Sequence, residues 1–410
     1  MPTTMRAVPR ASSKPLALLV SLMACAAAQA EDRPWHIGVS QAFTHETNVF
    51  RKSGGEVSDN ISSTGVLGGL DWRPGRQHLY FNGTAARNRY SKLDQLNNDS
   101  NSANAGLDWE TVESLSGNLR YTRRQELSDY TVVATPDVKN IVKIQQASGA
   151  VRFGFAAHLG VEGTLDRRKI DYSISNERDT TEDVASLGVK WSGTSVLTLG
   201  VAGRVTKGET PLYQPLLPLD LTNQIPVLGG VEPDKMDRKD IDFTATWVPS
   251  GLSTLTGRIS LTKVDHTAPS RADFNGVTGA VTWEYVPTGK TKIRSSLIRD
   301  TGNETSFLAL TQLGLSSLRF DNNRLNWIAV LEGDWEATAK ILVNGSLRYI
   351  NGTLDTITGS SFNGNTIRLG LGARYLATRN ITLGCNLVHD QGGSTFSASI
   401  YGCSASFVLQ

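Results

Sequence analysis

Long apolar runs are missing from most of this chain. After Ala30 no stretch reaches the ~18 residues of a membrane-crossing helix, so no transmembrane helix is expected. Cysteine is nearly absent too, with three in 410 residues. Cys25 sits in the N-terminal segment, which leaves Cys385 and Cys403 for the rest. Excess charge of either sign is lacking, at 41 basic against 39 acidic residues. No global field therefore draws the chain to nucleic acid. Catalytic patterns are scarce. The six histidines (His36, His45, His78, His158, His266, His389) show no metal-ligand spacing. "HETNV" has no second histidine, "TGKTK" has no upstream glycine, and no G-x-S-x-G occurs. We expect no enzyme activity, no metal and no cofactor.

What is present starts with a targeting segment. Arg6, Arg10 and Lys14 precede "PLALLVSLMACAAAQA", and "AQA" before Glu31 fits a small-residue cleavage site. Cleavage before Cys25, as in a lipoprotein, is the rival; Met23 is bulky for that motif. Residues 1–30 thus read as a signal peptide and 31–410 as one exported β-barrel domain. Without the leader, 38 basic face 39 acidic residues. Two cysteines left in an oxidising compartment suggest one disulfide.

The phrase "GLDW" occurs twice, at Gly69–Trp72 and Gly106–Trp109. It belongs to a wider repeat, in which an alternating segment ends on an aromatic, a polar turn follows, and a second alternating segment begins. The aromatics are Trp72, Trp109, Phe153, Trp191, Trp247, Trp283, Trp335 and Tyr375, spaced by about 43 residues. In "TLTGRISLT", Leu255, Gly257, Ile259 and Leu261 alternate with Thr254, Thr256, Arg258, Ser260 and Thr262. Period-2 alternation means strands with one apolar and one polar face. The aromatics share the apolar phase, and an amphipathic ring at a strand end suits the boundary between hydrocarbon and headgroups. A soluble propeller or sandwich with tryptophan in its core is the competing architecture. The export signal, strand length and alternation of short and long connections favour an up-and-down antiparallel transmembrane β-barrel in the bacterial outer membrane.

Eight turn-centred hairpins alone would make sixteen strands. "WHIGVSQAF" and "SIYGCSASFVL" add one at each end, giving about eighteen, an even number that returns both termini to the periplasm. Long polar connections are expected at Glu46–Asn60, Ser91–Asn101, Gln125–Val142, Lys207–Lys239, Asp265–Asn275 and Asp300–Asn322. The proline-rich Lys207–Lys239 segment, with "PLLPLDL", reads as a constriction, a cap or a surface loop. In the last hairpin "HDQGGST" puts the turn near residue 394, midway between Cys385 and Cys403, which places both on the outer face opposite each other. A cross-strand disulfide and two unpaired small hydrophobes are the two readings.

The polar face carries the chemistry. Arg120, Arg124, Arg204, Arg258, Arg348, Arg368 and Arg374 have the lumen phase. So do Lys190, Asp242 and, close to the aromatic turns, Asp71, Asp108, Glu332 and Asp334. Either these charges pair across neighbouring strands and stiffen the wall, or the arginines form a track above an acidic periplasmic rim that guides an anionic chain.

Short phrases add a family likeness. "ETNVFR" (Glu46–Arg51), "SDNIS" (Ser58–Ser62) and "PGRQ" (Pro74–Gln77), with the later "LGCNL" and "YGCSASF", resemble EpsL-type outer-membrane proteins of exosortase-associated exopolysaccharide operons. The resemblance implies a barrel for export or surface assembly of an exopolysaccharide, with outer-membrane lipid, the polymer and periplasmic or inner-membrane export components as partners. It implies no catalytic residues. Three functions follow as expectations: a polysaccharide conduit, a surface barrel that anchors polysaccharide, and a general porin for small solutes.

Overall fold

A computed structural model describes residues 34–410 except 112–113, 129, 131–137, 157, 215, 218–226, 229, 302–323, 356–360 and 393–395. The expected signal peptide and most of "PLLPLDL" lie outside the described residues.

The first nine strands are β1 (Trp35–Glu46), β2 (Asp59–Trp72), β3 (His78–Tyr90), β4 (Asn98–Glu110), β5 (Leu115–Leu127), β6 (Ile141–Ala156), β7 (Leu159–Tyr172), β8 (Thr180–Ser192) and β9 (Leu197–Thr210). A two-residue pair, β10 (Leu216–Leu217) and β11 (Val227–Leu228), follows. Then come β12 (Asp234–Ser250), β13 (Ser253–His266), β14 (Phe274–Thr288), β15 (Thr291–Asp300), β16 (Arg324–Thr338), β17 (Ile341–Asp355), β18 (Ser361–Leu376), β19 (Ile381–Gly392) and β20 (Phe396–Leu409).

Apart from the β10–β11 pair, all strands belong to one 18-stranded antiparallel sheet. Each bonds to its neighbours in sequence, and β9 passes on to β12. The sheet closes where β1 meets β20, from Ile37 opposite Leu409 to Glu46 opposite Ile400. The expected strand number is met.

The two faces obey the sequence pattern. Leu165, Leu187, Ile259 and Leu371 point outward and are 60–68% exposed, the reverse of a soluble core. All the described short turns lie at one end of the wall, beside Trp72, Trp191, Trp247, Trp283, Trp335 and Tyr375, whose rings are exposed. Trp109, at the same end, leans on Gly117 and is partly covered. From Leu197 to Val205 the outward face is apolar. At ~3.3 Å per residue and a tilt of ~40° this covers roughly 20 Å of the membrane normal, near the ~25 Å band of such barrels.

The opposite ends of the strands correct the expected loops. The Lys207–Lys239 connection is shorter than expected: β9 runs on to Thr210 and β12 already begins at Asp234. Gln125–Val142 narrows likewise to the interval between Leu127 and Ile141. The sheet continues above the hydrocarbon, where the outward face is polar. Loss of apolar alternation marks the membrane boundary there, not the strand end.

Closure constrains particular residues. A side chain at Gly38 would collide with the Phe407 carbonyl across the β1–β20 seam. Cys385 stands opposite Cys403 in the β19–β20 register, and the two form a disulfide with a Cα–Cα distance of 4.0 Å. Of the two readings of these cysteines, the bridged one holds. The bridge closes a loop with a sequence separation of 18. Loop-closure entropy for that length is about 3 kcal/mol. The Cys385→Ser, Cys403→Ser double variant is expected to insert normally yet lose up to about 3 kcal/mol of stability in urea refolding into lipid vesicles. The unaltered mature barrel is expected to show no maleimide-reactive thiol before denaturation and reduction.

Candidate functional site in the barrel lumen

Inward-facing residues divide the lumen wall into an open and a closed sector. The open sector is a cavity of about 800 Å³. Among the side chains lining it are Arg120, Arg124, Arg152, Glu162, Lys190 and Thr256. The closed sector lies on β14–β16, where the inward-facing Ile298, Ile328 and Val330 are buried. The space inside the barrel is therefore off-centre.

Between these sectors lies a buried ion cluster on β9, β12, β13 and β15. Arg204 clasps Asp242 through Nε at 3.0 Å and Nη2 at 3.2 Å, and Nη2 also lies 3.2 Å from Asp240. Arg258 donates to Asp242 at 3.4 Å. Arg238 donates from Nε to Asp240 at 2.9 Å and from Nη1 to Asp300 at 2.9 Å. Hydroxyls complete the set: Ser260 donates to Asp242 and Thr262 to Asp240, each at 2.5 Å. Arg238 and Arg258 are at most 1% exposed. Buried charges persist when paired and hydrogen-bonded, and this cluster meets that requirement with carboxylates shared between strands.

The expected arginines accordingly part company. Arg204 and Arg258 belong to the buried cluster and act on the wall itself. Arg120 and Arg124 face the open cavity, 3.8 Å from Asp108 and 3.1 Å from Glu126. Arg348 stands directly opposite Arg368 on the β17–β18 pair, and its Nε has no hydrogen-bond partner among the described residues. Arg368 reaches Asp390 at 3.3 Å. Arg374 is exposed and makes no ion pair among the described residues. The seven are dispersed around the wall and are not gathered into one file.

The acidic residues meet cations as well. Asp71 accepts from Arg73 and lies 3.1 Å from His78 Nε2. Asp108 lies 3.6 Å from His78 Nδ1. Glu332 lies 3.7 Å from Arg294. Asp334, one inward position nearer the turn, has no ion pair among the described residues. Elsewhere hydroxyls meet across strands: Thr84 with Ser102 at 2.7 Å, Thr164 with Ser186 at 2.6 Å, Thr282 with Ser296 at 2.9 Å.

Several working residues escaped the sequence reading. Arg238 fell at the end of a supposed loop and Asp240 just past it, although Asp234, Met236, Arg238, Asp240 and Asp242 share one phase of β12. Arg152 pairs with Glu162 across β6 and β7, and Lys190 joins them at 2.8 Å. At the loop end, Asn48 is fully buried and donates to the carbonyls of Lys52 at 2.7 Å and Ser397 at 3.1 Å. Asp59, also fully buried, accepts from the backbone N–H groups of Ser91, Lys92 and Leu93 at 2.8–3.1 Å. Arg51 joins Glu46 and Asp390. Above them Val49, Phe50, Tyr90, Leu96 and Tyr130 form an apolar cluster that ties together the first three long connections. The phrases "ETNVFR" and "SDNIS" thus do structural work in the loop platform. Among the described residues no cluster of metal-ligating side chains occurs.

A closed strand wall, apolar outside, polar inside and ringed by aromatics at its short-turn end, defines an outer-membrane β-barrel. No protein-family model matches the chain, and no curated protein does. Solved structures do align with it. The outer membrane protein opdK of Pseudomonas aeruginosa shares 10% identity, with 92% of this chain and 98% of that one covered and a TM-score of 0.46. OpdQ of the same organism shares 10%, covering 93% and 99%, at 0.45. OccAB3 of Acinetobacter baumannii shares 9%, covering 92% and 99%, at 0.45. At such identities and TM-scores the likeness carries no information on cargo. The EpsL resemblance stays confined to its short phrases.

Asp242 is the shared acceptor of the buried cluster. Asp242→Ala would leave Arg204 and Arg258 short of a carboxylate, and the expected loss is about 3 kcal/mol in urea-driven unfolding from vesicles. Asp71→Ala, at an exposed strand end, is expected to leave the unfolding midpoint unchanged in the same assay.

Proposed function

We propose that the barrel is a passive channel for small hydrophilic solutes across the outer membrane. The open, charged cavity beside Arg120 and Arg124 carries this reading. Its volume is about 800 Å³, enough to admit a small organic molecule. Conduction needs contacts that are repeated and weak. Ion-paired and partly hydrated guanidinium groups offer such contacts. Guanidinium and ammonium groups line the cavity together with few carboxylates, which favours small anions over cations of the same size.

The exopolysaccharide reading gains no comparable support. Of the phrases that suggested it, "ETNVFR" and "SDNIS" pack the loop platform, "PGRQ" forms a short turn, and "LGCNL" and "YGCSASF" carry the disulfide on β19 and β20; none lines the cavity, and no curated relative or family model backs it. A strain lacking the protein separates the two. Unchanged surface polysaccharide with slower uptake of small organic anions supports the channel, whereas polymer trapped in the periplasm overturns it.

Planar-bilayer recording gives the direct check. Discrete conductance steps are expected, with anions preferred. An unscreened charge ~4 Å from the ion path is worth ~1 kcal/mol in water, less in salt. Arg120→Gln with Arg124→Gln should therefore lower the anion-to-cation permeability ratio by roughly twofold or more. Absence of conductance in any orientation, with correctly folded protein, would falsify the channel.

A further inference from the structure

Above the apolar belt, the outward face is charged on one arc only. On β3, β5, β7, β9, β12 and β13 the first outward residue beyond the apolar run that bears a charge is a cation: Arg87, Arg123, Arg167, Lys207, Lys239 and Lys263. On β15 it is Arg299. On β4 and β8 it is an acid, Asp99 opposite Arg87 at 3.8 Å and Asp183 opposite Arg167 at 3.6 Å. Arg123 aside, the cations without an acid on a facing strand at their own level therefore gather on β12, β13 and β15. The outward positions of β16–β20, β1 and β2 at this level carry no acid or base other than histidine among the described residues; they include Trp327, Tyr349, Tyr401 and Phe43.

The order of charges along each strand is informative. On β12 the outward series from the membrane runs Ile241, Lys239, Asp237; on β13 it runs Leu261, Lys263, Asp265; on β9 it runs Val205, Lys207, Glu209. On these three strands cations lie next to the hydrocarbon and carboxylates one step farther out. Short turns and both chain ends fix this side as the external one, so the cations stand at the headgroup level of the outer leaflet. On β12 and β13 that polarity is complementary to phosphates held at the hydrocarbon boundary.

Lys239 and Lys263 concentrate the charge. They stand directly opposite each other in the β12–β13 register, with side chains 65% and 60% exposed. Like charges placed so repel. Their neighbours Asp237 at 3.9 Å and Asp265 at 3.1 Å are exposed partners, which hold weakly and exchange readily.

A groove runs in the outer wall below. Its volume is about 1140 Å³, and Phe243, Ile259, Val281, Leu297 and Trp327 line it. Gly257, outward and with open space where a side chain would stand, keeps it deep. Arg299 sits at its rim with its guanidinium 5.8 Å from the Trp327 ring centre.

We propose that this wall, β12–β16, binds one phosphorylated glycolipid of the outer leaflet. An acyl chain fills the groove, and the sugar-borne phosphates rest on Lys239, Lys263 and Arg299. Bidentate guanidinium and ammonium contacts to phosphate supply the selectivity. The inference is independent of what passes through the lumen.

Detergent-purified, delipidated barrel is titrated with diphosphoryl lipid A and the bound complex counted by native mass spectrometry. One lipid per barrel is expected. Lys239→Gln, Lys263→Gln, Arg299→Gln together should weaken binding at least tenfold, and Asp237→Asn with Asp265→Asn should tighten it. On the unaltered protein, enzymatically dephosphorylated lipid A should bind at least tenfold more weakly, a comparison that needs no variant to fold. Equal binding of the dephosphorylated lipid, undiminished binding to the triple variant in its heat-modifiable folded form, or equal competition by phosphatidylglycerol overturns the proposal.

Discussion

Everything in this structure depends on satisfying the backbone inside hydrocarbon. A strand in lipid has no water for its N–H and C=O groups, and each one left unpaired costs several kcal/mol. A sheet meets that demand only by closing on itself. Here the closing pair joins the two ends of the described chain, β1 and β20. Glycine at position 38 lets the seam approach closely, and Asn380 donates to the Val408 carbonyl at 2.6 Å at its periplasmic end. At the other end Thr47 and Ser399 exchange bonds, N–H to carbonyl and N–H to hydroxyl. Closure turns the two sides of one sheet into two solvents, and the period-2 alternation follows.

The inward side then faces its own electrostatic problem. Charges there are close together and partly shielded from bulk water. They must pair, hydrate or neutralise. The wall does the first in the β9–β15 cluster, where two aspartates on β12 bridge arginines from three strands. It does the second around the open cavity, where Arg120 remains accessible, and at Arg374 on β18. Buried pairs of this kind specify which strands are neighbours more surely than they add stability. A register slip would bring Arg204 and Asp242 to opposite faces.

Much of this was legible from sequence, and for a physical reason. Lipid is a uniform solvent, so every outward position answers to the same rule and the repeat of Trp72, Trp109 and Trp191 shows through. The inward rule is local. Arg238 matters because Asp240 and Asp300 are there, and Asp300 lies on a strand that no composition pattern brings to it. The segment Lys235–Lys239 was doubly hard to read. Both of its faces are charged, so alternation vanishes although the strand persists. The disulfide was readable because turn position alone sets the register of a hairpin, and Cys385 and Cys403 lie symmetrically about theirs.

That same segment shows how one strand serves three environments. Trp247, Phe243 and Ile241 answer to lipid; Lys239 and Asp237 answer to headgroups and water; Arg238, Asp240 and Asp242 answer to the wall's interior. The upper outward residues gain nothing from burial, so a soluble surface would impose little order on their sign. Yet lysine precedes aspartate on both β12 and β13, counting from the hydrocarbon. A surface charge ladder formed only to solubilise the rim would work equally well in either order. An anionic layer lying against the belt distinguishes the two, because a carboxylate in the nearer position would meet phosphate at short range, at a cost that falls off within a Debye length of ~8 Å.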